Sequence, residues 1–175
     1  TGDLVWATDP LGDKTTAAYD AIGQVTSMVT PAGNVTGGNP AAHTTSVSHD
    51  AFGRVTDLTD PTGGRVHTVY DANGNVSSVE SGLSATITTG DVTAYSYDDA
   101  DELITMDPPG PGSKSYTYTA DGRRESFTNE NGATWTYGYD ALGRLMSTVD
   151  PTAATTSYGY DSASRLGSVT QPGTG

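Results

Sequence analysis

Residues 137–145 read Tyr-Gly-Tyr-Asp-Ala-Leu-Gly-Arg-Leu, and more or less degraded copies of this phrase recur along the chain. The position of Asp140 recurs at residues 20, 50, 71, 98, 119, 140 and 161, in steps of 30, 21, 27, 21, 21 and 21 residues. A fixed step of this length, stretched twice by insertions, is typical of a tandem array and not of a globular enzyme. We therefore predict a single repeat array over residues 1–175, with about seven Tyr-Asp units and a partial N-terminal unit.

The phrase itself predicts a β-hairpin turn. Asp at its first position can accept hydrogen bonds from the backbone that follows, and Gly at its fourth position tolerates the left-handed conformation. This combination is typical of a type I turn followed by a glycine bulge. We expect Tyr139 and Arg144 to face each other across the hairpin, in a cation–π contact worth roughly 0.5–1 kcal/mol. The residues that carry the turn are Tyr19, Asp20, Gly23, Asp50, Gly53, Arg54, Tyr70, Asp71, Gly74, Tyr97, Asp98, Tyr118, Gly122, Arg123, Tyr139, Asp140, Gly143, Arg144, Tyr160, Asp161 and Arg165.

A second turn, usually containing proline, lies about ten residues after each Tyr-Asp phrase. Each unit then holds two turns and two strands of about six residues, so that the repeat is one hairpin joined edge to edge with the next. We call the two sides of the array the Tyr-Asp rim and the proline rim. The insertions at residues 33–45 and 81–91, and the Pro-Gly stretch at 108–112, all fall on the proline rim. The proline-rim turns are Asp9-Pro10-Leu11-Gly12, Thr30-Pro31-Ala32-Gly33, Asp60-Pro61-Thr62-Gly63 and the weaker Asp150-Pro151 and Gln171-Pro172-Gly173.

The strand pattern predicts which side chains share a face. Tyrosine pairs such as Tyr137 and Tyr139 alternate with small residues, so both rings lie on one face. The apolar position two residues after the turn glycine, Leu145 in this unit, is expected on the opposite face. Another apolar position follows three residues later, as Val169 follows Leu166. Two positions three apart cannot share a face of a regular strand, so either both faces are partly apolar or a bulge intervenes.

These features predict an all-β fold of tandem 21-residue antiparallel hairpins with almost no helix, because no stretch shows apolar spacing of three and four residues. About fifteen strands in one twisted sheet seldom lie flat, so we expect a curved or spiralling β-strip. With no cysteine, a disulfide framework and a thiolate metal site are excluded. The net charge of −13 argues against nucleic acid as a partner, and no apolar run is long enough for a membrane span.

Some units depart from the phrase. His49 replaces the tyrosine, Thr119 replaces the aspartate, and Asp101 replaces the glycine of the fourth turn, which we therefore expect to be distorted. The arginine is replaced by Gln24, Asn75 and Glu102.

The chain also starts inside a unit, with Gly2 at a turn glycine and Leu4 at the following apolar position. We therefore interpret it as a fragment of a longer array, whose unpaired edges could associate with another copy.

The phrase Tyr-Asp-x-x-Gly-Arg-Leu, followed by Asp-Pro-x-Gly, resembles the YD repeat, also called the Rhs repeat. This repeat occurs in bacterial Rhs and wall-associated proteins, insecticidal toxin complexes and animal teneurins, and the resemblance covers essentially the whole chain. It implies a β-strip that spirals into a hollow shell, which in bacterial members encloses a C-terminal toxin. Flanking repeats and such a toxin domain are then the expected partners, and a secreted or cell-surface location is expected. The self-cleaving core of the family has no convincing counterpart here.

Particular residues bear on three other functions. No catalytic constellation is evident, because His43, His49 and His67 are scattered, so we predict no enzyme activity and no cofactor. The densest acidic cluster, Asp98, Asp99, Asp101 and Glu102, is a weak candidate for calcium, although isolated turn aspartates usually cap backbone. A carbohydrate- or cell-surface-binding adhesin that uses exposed tyrosines is the main alternative to a structural segment.

Overall fold

The computed structural model of this protein describes residues 5–173. Gly2 and Leu4, which we assigned to a turn and an apolar position, lie outside these residues. The described part contains fifteen strands and two four-residue helices, so the prediction of an all-β chain with almost no helix is confirmed. The helices are α1 (Pro31–Asn34) and a 3-10 helix (Pro40–His43). The strands are β1 (Trp6–Thr8), β2 (Lys14–Tyr19), β3 (Val25–Val29), β4 (Thr44–His49), β5 (Val55–Thr59), β6 (Arg65–Tyr70), β7 (Val76–Leu83), β8 (Asp91–Tyr97), β9 (Leu103–Asp107), β10 (Lys114–Tyr118), β11 (Arg124–Thr128), β12 (Thr134–Tyr139), β13 (Leu145–Val149), β14 (Thr155–Tyr160) and β15 (Leu166–Thr170).

The fifteen strands of the described part belong to one antiparallel sheet in which strand order follows chain order. The chain divides into two compact units, Thr1–Val92 and Thr93–Gly175. The first unit contains β1 to β7 and both helices, and the second contains β9 to β15 and most of β8. In both units each strand is joined to the next by a tight turn or a short insertion, as expected for a hairpin repeat.

Burial in this sheet is unusual for a protein of its length. Among the described residues, Leu83 is the one hydrophobic side chain that is buried, at 1% exposure. The tyrosines are half-buried. Because the sheet has almost no enclosed core, its stability depends mainly on side chains that pair across neighbouring strands and on backbone hydrogen bonds.

The Tyr-Asp turn has the predicted geometry. At residue 140 the backbone N–H of Asp140 donates to the carbonyl of Arg144 (3.0 Å), and that of Gly143 donates to the carbonyl of Asp140 (2.9 Å). Gly143 has a φ of +77°, in the left-handed region. The pairing of β12 with β13 shifts between Gly138 and Tyr139. The bonds and the left-handed glycine are those expected of this four-residue turn, and the shift in pairing leaves Met146 as an extra residue on β13.

The fourth turn is not distorted, so that prediction is wrong. Asp101 adopts a φ of +62° in place of the usual glycine, and its N–H donates to the carbonyl of Asp98 at 3.1 Å. Tyr97 still pairs with Leu103 next to a bulge, as in the other units. The left-handed conformation costs a residue with a Cβ about 1–2 kcal/mol, and the hydrogen bonds of the turn hold it there. Ser164 does the same at +61°.

The strand register shows on which face of the sheet the two apolar positions lie. Tyr160 pairs with Leu166, and Tyr158 pairs with Val169. Residues directly opposite each other in an antiparallel pair share a face, so both apolar positions lie on the tyrosine face. Our expectation that the first position, Leu145 or Leu166, points to the opposite face is therefore wrong. The bulge inserts one extra residue between the two positions, and this allows positions three apart to face the same way.

In the second unit the other face is lined mainly by small hydroxyl side chains. The side chains of Thr117 and Ser126 are hydrogen-bonded at 2.8 Å, as are those of Thr128 and Thr134. Gly138 lies opposite Ser147 on this face. The sheet of the second unit therefore presents one aromatic and aliphatic face and one face of mainly hydroxyl side chains, whereas the corresponding face of the first unit also carries Asp57, His67 and Val69.

The insertions of the proline rim are anchored by side chains. In the first insertion the Asn34 amide donates to the carbonyls of Lys14 (2.9 Å) and Val29 (3.1 Å), and Gly33 is buried beside it. In the second insertion the Glu80 carboxylate accepts the backbone N–H of Gly90 at 2.7 Å. Each insertion is thus bonded back to its own hairpin.

Candidate functional site

The repeated side chains of the Tyr-Asp rim form the candidate site. The first of them is the aspartate that caps the turn. Oδ1 of Asp140 accepts the backbone N–H groups of Leu142 and Arg144, both at 2.9 Å. Thr119 replaces aspartate once, and its hydroxyl accepts only the N–H of Arg123, at 3.1 Å. The same double cap is made by Asp20, Asp50, Asp71, Asp98 and Asp161.

The arginine of the phrase bonds to the aspartate of its own turn. Nε of Arg144 donates to Oδ2 of Asp140 at 2.7 Å. The Arg144 side chain and the backbone N–H of Arg144 hold the pKa of Asp140 below its ordinary value of 3.8. Arg54 pairs with Asp50 at 2.7 Å in the same way. The aspartate therefore closes the turn and fixes the direction of the arginine.

The arginine then stacks on the tyrosine of the next unit, not on its own. Cζ of Arg144 lies 4.7 Å from the ring centre of Tyr160, and Cζ of Arg54 lies 4.4 Å from that of Tyr70. Tyr139 instead pairs with Leu145 across its hairpin. The predicted contact between Tyr139 and Arg144 is therefore wrong, because the bond to the turn aspartate directs the guanidinium toward the following hairpin.

The residue at the arginine position also lies against the left-handed residue of the next turn. A Cβ on Gly74 would lie 3.5 Å from Nη1 of Arg54. Arg123 lies against Gly143, and Gln24 against Gly53, closely enough that a Cβ there would collide with them. Glycine therefore serves at these positions both for its positive φ and for the close approach of a side chain. Where Ser164 replaces the glycine, Arg144 donates to its hydroxyl at 3.3 Å.

The tyrosine hydroxyl completes the connection between units. The hydroxyl of Tyr139 donates to the carbonyl of Arg124 at 2.9 Å, and that of Tyr160 donates to the carbonyl of Leu145 at 3.0 Å. In each case the carbonyl lies fifteen residues earlier, at the start of the preceding hairpin's second strand. Tyr70 and Tyr118 make the same bond. We call this set a junction: the residue at the arginine position, the next tyrosine and the left-handed residue of the next turn.

Two features were missed in the sequence. Oδ1 of Asn129 accepts the N–H groups of Asn131 and Ala133, both at 3.0 Å, in a proline-rim turn without proline. The sequence feature that could have predicted this turn is the Asn-x-Asn-Gly run, which begins 21 residues before Asp150. The second feature is an aromatic row on the tyrosine face, in which Phe127 stacks between its neighbours Tyr116 and Trp135 at ring-centre distances of 5.4 and 5.5 Å.

The other candidate residues lie apart from each other or close their own turn. Oδ1 of Asp98 accepts the N–H groups of Ala100 and Glu102, as the other turn aspartates do. Within residues 5–173, no group of three or more His, Cys, Asp and Glu side chains is arranged to hold a metal ion. His67 is bonded through Nδ1 to Asp57 at 2.9 Å, whereas His49 takes a tyrosine position opposite Val55. No helix in that range is long and apolar enough to cross a membrane.

The hairpins and their junctions define a tandem β-hairpin repeat protein. The family model described as RHS Repeat matches residues 1–35, 49–86, 118–155 and 143–175, well over half of the chain. The chain therefore belongs to the RHS repeat family. A comparison with curated protein sequences finds no match.

Solved structures of similar fold come from toxin complexes. The Tc holotoxin pore of Photorhabdus luminescens is 17% identical with a TM-score of 0.73, over 95% of this chain and 10% of that chain. The crystal structure of TcdB2-TccC3-Cdc42 is 20% identical with a TM-score of 0.70, over 91% of this chain and 9% of that chain. The crystal structure of TcdB2-TccC3 is 17% identical with a TM-score of 0.61, over 94% and 11%. The chain thus spans about a tenth of these proteins and shares their fold over that length. It is a structural RHS repeat segment.

Proposed function

We propose that this chain is a non-enzymatic stretch of the β-shell of a bacterial RHS-type surface or toxin-delivery protein, and that the shell encloses a C-terminal effector. The proposed location is outside the cell that makes it, secreted or at the cell surface. The family assignment and the likeness to toxin-complex chains support the proposal. Because those chains are about ten times longer, the effector and the flanking repeats belong to the proposal.

The observation that carries the proposal is the difference between the two faces of the sheet. In β12 to β15 one face bears the tyrosines and both apolar positions, and the other bears mainly Ser, Thr and Gly. Large apolar side chains on the first face remain exposed, with Val169 at 50% and Leu58 at 42%. An apolar face that the chain does not cover itself is what a wall needs if one side meets a polypeptide and the other meets water.

Within each compact unit the junctions support a continuous wall, because tyrosine hydroxyls bond one hairpin to the preceding one. Flanking repeats would extend the sheet at its two ends, since β1 pairs with β2 alone, and β15 with β14 alone, among the described strands. Pairing of these ends with a second copy of the chain is a further proposal. It predicts association that increases with concentration in analytical ultracentrifugation, and a strict monomer at millimolar concentration would contradict it.

The geometry of the aromatic row argues against the adhesin alternative. Tyr116, Phe127 and Trp135 stack with interplanar angles of 25° and 23°, so the ring faces are turned toward one another. A sugar that binds by stacking needs an open ring face. Binding on a glycan array that is lost in Trp135→Ala would revive this alternative.

Protease protection in the parent protein tests the enclosing function. We expect the C-terminal effector segment to resist a nonspecific protease while the array is intact. A double variant that weakens two successive junctions, Tyr139→Ala with Tyr160→Ala, should expose the segment, whereas Thr152→Ala on the proline rim should leave it protected. Equal digestion of the effector in the unmodified protein and in the double variant would contradict the proposal.

A further inference from the structure

The junction at Glu102 carries a negative side chain at the position where other junctions carry an arginine or a neutral residue. In three turns an arginine follows the aspartate by four residues and pairs with it: Asp50 with Arg54, Asp140 with Arg144, and Asp161 with Arg165. In the turn at residues 98–102 the corresponding residues are Asp98 and Glu102, so that two carboxylates occupy the place of an ion pair.

The backbone around this pair is the same as elsewhere. Asp98 caps its turn by accepting the N–H groups of Ala100 (2.9 Å) and Glu102 (3.0 Å). The next tyrosine, Tyr118, donates to the carbonyl of Leu103 at 3.0 Å, as in the other junctions. The change at this junction therefore lies in its side-chain charge and not in its geometry.

Glu102 reaches across the junction as the arginines do. Its Oε1 lies 2.9 Å from the position that a Cβ on Gly122 would occupy in the next turn. The side chain is half-buried there. A carboxylate has thus replaced a guanidinium at the point where one hairpin is bonded to the next.

The charges around Glu102 are mostly negative. Its own turn carries Asp98, Asp99 and Asp101, and the next turn carries Asp121. The cation of the next turn, Arg123, is bonded to Asp121 and lies 5.8 Å from the ring centre of Tyr139, one unit further on. It is therefore directed away from Glu102 and does not replace the missing positive charge.

We propose that this junction is proton-operated: it is weakened while Asp98 and Glu102 are both ionised and tightens when Glu102 takes up a proton and shares it with Asp98. Burial of the Glu102 side chain, together with the charge of Asp98 and the hydrogen bond to it, raises the pKa of Glu102 above its ordinary value of 4.5. The inference rests on the junction geometry and does not require an enclosed effector.

The expected pH dependence has a definite sign. A carboxyl group with a raised pKa in the folded state contributes stability that is fully present below its ordinary pKa of 4.5 and is lost as the pH rises through the raised value. The turn aspartates act in the opposite direction. The pKa of Asp140 is lowered by Arg144, so its contribution is lost only as the pH falls below the ordinary 3.8. The two effects are therefore separated along the pH axis.

Two variants of Glu102 and one matched control test the inference in thermal unfolding between about pH 4.5 and 7.5. The unmodified chain should lose stability as the pH rises, by a shift of a few degrees in its melting temperature. Glu102→Gln, which stays neutral and can donate to Asp98, should remove this slope. Glu102→Arg, which restores the usual ion pair, should remove the slope and raise the melting temperature at pH 7.5. The control Gln24→Arg restores an arginine to a junction that lacks a second carboxylate, and should keep the slope of the unmodified chain.

A titration of the unmodified chain keeps the test independent of how the variants fold. The side-chain carboxyl carbon of Glu102, followed by NMR, should titrate above the ordinary range for glutamate. Titration at or below that range would overturn the inference, as would equal slopes in the unmodified chain and Glu102→Gln.

Discussion

The two rims of the array close their hairpins with the same turn but connect the units differently. On the proline rim, Oδ1 of Asp150 accepts the N–H groups of Thr152 (2.8 Å) and Ala154 (3.0 Å). On the Tyr-Asp rim, Asp140 makes the equivalent bonds at 2.9 Å. In the described part, three further features accompany only the Tyr-Asp turns. A bulge follows the turn, the tyrosine hydroxyl is bonded to the preceding hairpin, and a side chain lies over the next turn.

The difference teaches which feature keeps the repeat at constant length. The hydrogen bonds of the turn do not by themselves keep the length constant, because both rims have them. The junctions lie at the Tyr-Asp rim, and a change in length there would displace the tyrosine, the arginine and the glycine together. Within residues 5–173 the proline rim has no such junction, although Lys114 and Glu130 form an ion pair there at 3.0 Å, and both insertions are found on this rim. The predictions below separate the two rims, in order of decreasing effect.

The largest effect is expected from added length. A five-residue Gly-Ser linker inserted after Leu142 separates Arg123 from Gly143 and should lower the free energy of unfolding by about 3 kcal/mol or more. The same linker after Thr152 should cost only about 1 kcal/mol, because closing a longer loop is an inexpensive change in entropy. Urea unfolding of the two variants measures both values. Equal losses would show that the rims do not differ in tolerance.

Removal of a tyrosine ring should have the next largest effect. Tyr139→Ala loses half-buried aromatic area, the bond to the Arg124 carbonyl and the contact with Arg123, and should cost about 2–3 kcal/mol. Tyr139→Phe keeps the ring and loses only the hydroxyl bond, so a cost of about 1 kcal/mol is expected. The two unfolding midpoints can be compared directly. If Tyr139→Phe destabilised the chain as much as Tyr139→Ala, packing of the ring would not contribute.

A stabilising change is expected on the proline rim. Ala153 has a φ of +67° at the position where other turns have glycine. Ala153→Gly should relieve this conformation and raise the free energy of unfolding by about 0.5–1 kcal/mol, after allowance for the greater flexibility of glycine in the unfolded chain. Chemical denaturation measures the change, and a loss of stability would contradict our assignment of strain at Ala153.

The smallest effect concerns the charge of the turn aspartates. Asn129 caps its turn as an aspartate does, so asparagine can supply the same acceptor. Asp140→Asn should keep the cap but lose the pairing with Arg144, and should lower the melting temperature on the order of 1 °C more than Asp150→Asn does. It should also lessen the loss of stability below about pH 4, because the pKa of Asp140 is lowered in the folded chain. Identical acid unfolding of Asp140→Asn and the unmodified chain would contradict this.

The sequence predicts what is local in this fold. Residues 140–143 specify their turn and the left-handed glycine through hydrogen bonds within five residues, and these are readable from the phrase. The second turn, the fifteen strands and the all-β class follow from its repetition. The bulge was recognised as one of two possibilities, but the face of Leu145 was assigned wrongly because one extra residue reverses the alternation.

The contacts between units could not be read from one unit. Tyr139 is nearer to Arg144 in sequence, yet the guanidinium stacks on Tyr160, because the bond to Asp140 orients it toward the following hairpin. The fourth turn shows a similar limit. Asp101 looks unsuitable for a left-handed position, yet the hydrogen bonds of the turn impose that conformation on it. The partner of Arg144 and the conformation of Asp101 were both predicted wrongly because each depends on neighbouring groups. The intrinsic conformational propensity of a residue does not include such effects.

A matched pair of alanine substitutions tests the central claim most directly. Gly143 on the Tyr-Asp rim and Gly132 on the proline rim have the same φ of +77°, but only Gly143 has a neighbouring side chain, that of Arg123, where a Cβ would lie. Each substitution should cost about 1–2 kcal/mol for the left-handed conformation. Gly143→Ala should cost about 1 kcal/mol more, because it displaces Arg123 from the junction. Equal losses in urea unfolding would contradict the claim that the Tyr-Asp rim bonds each hairpin to the next.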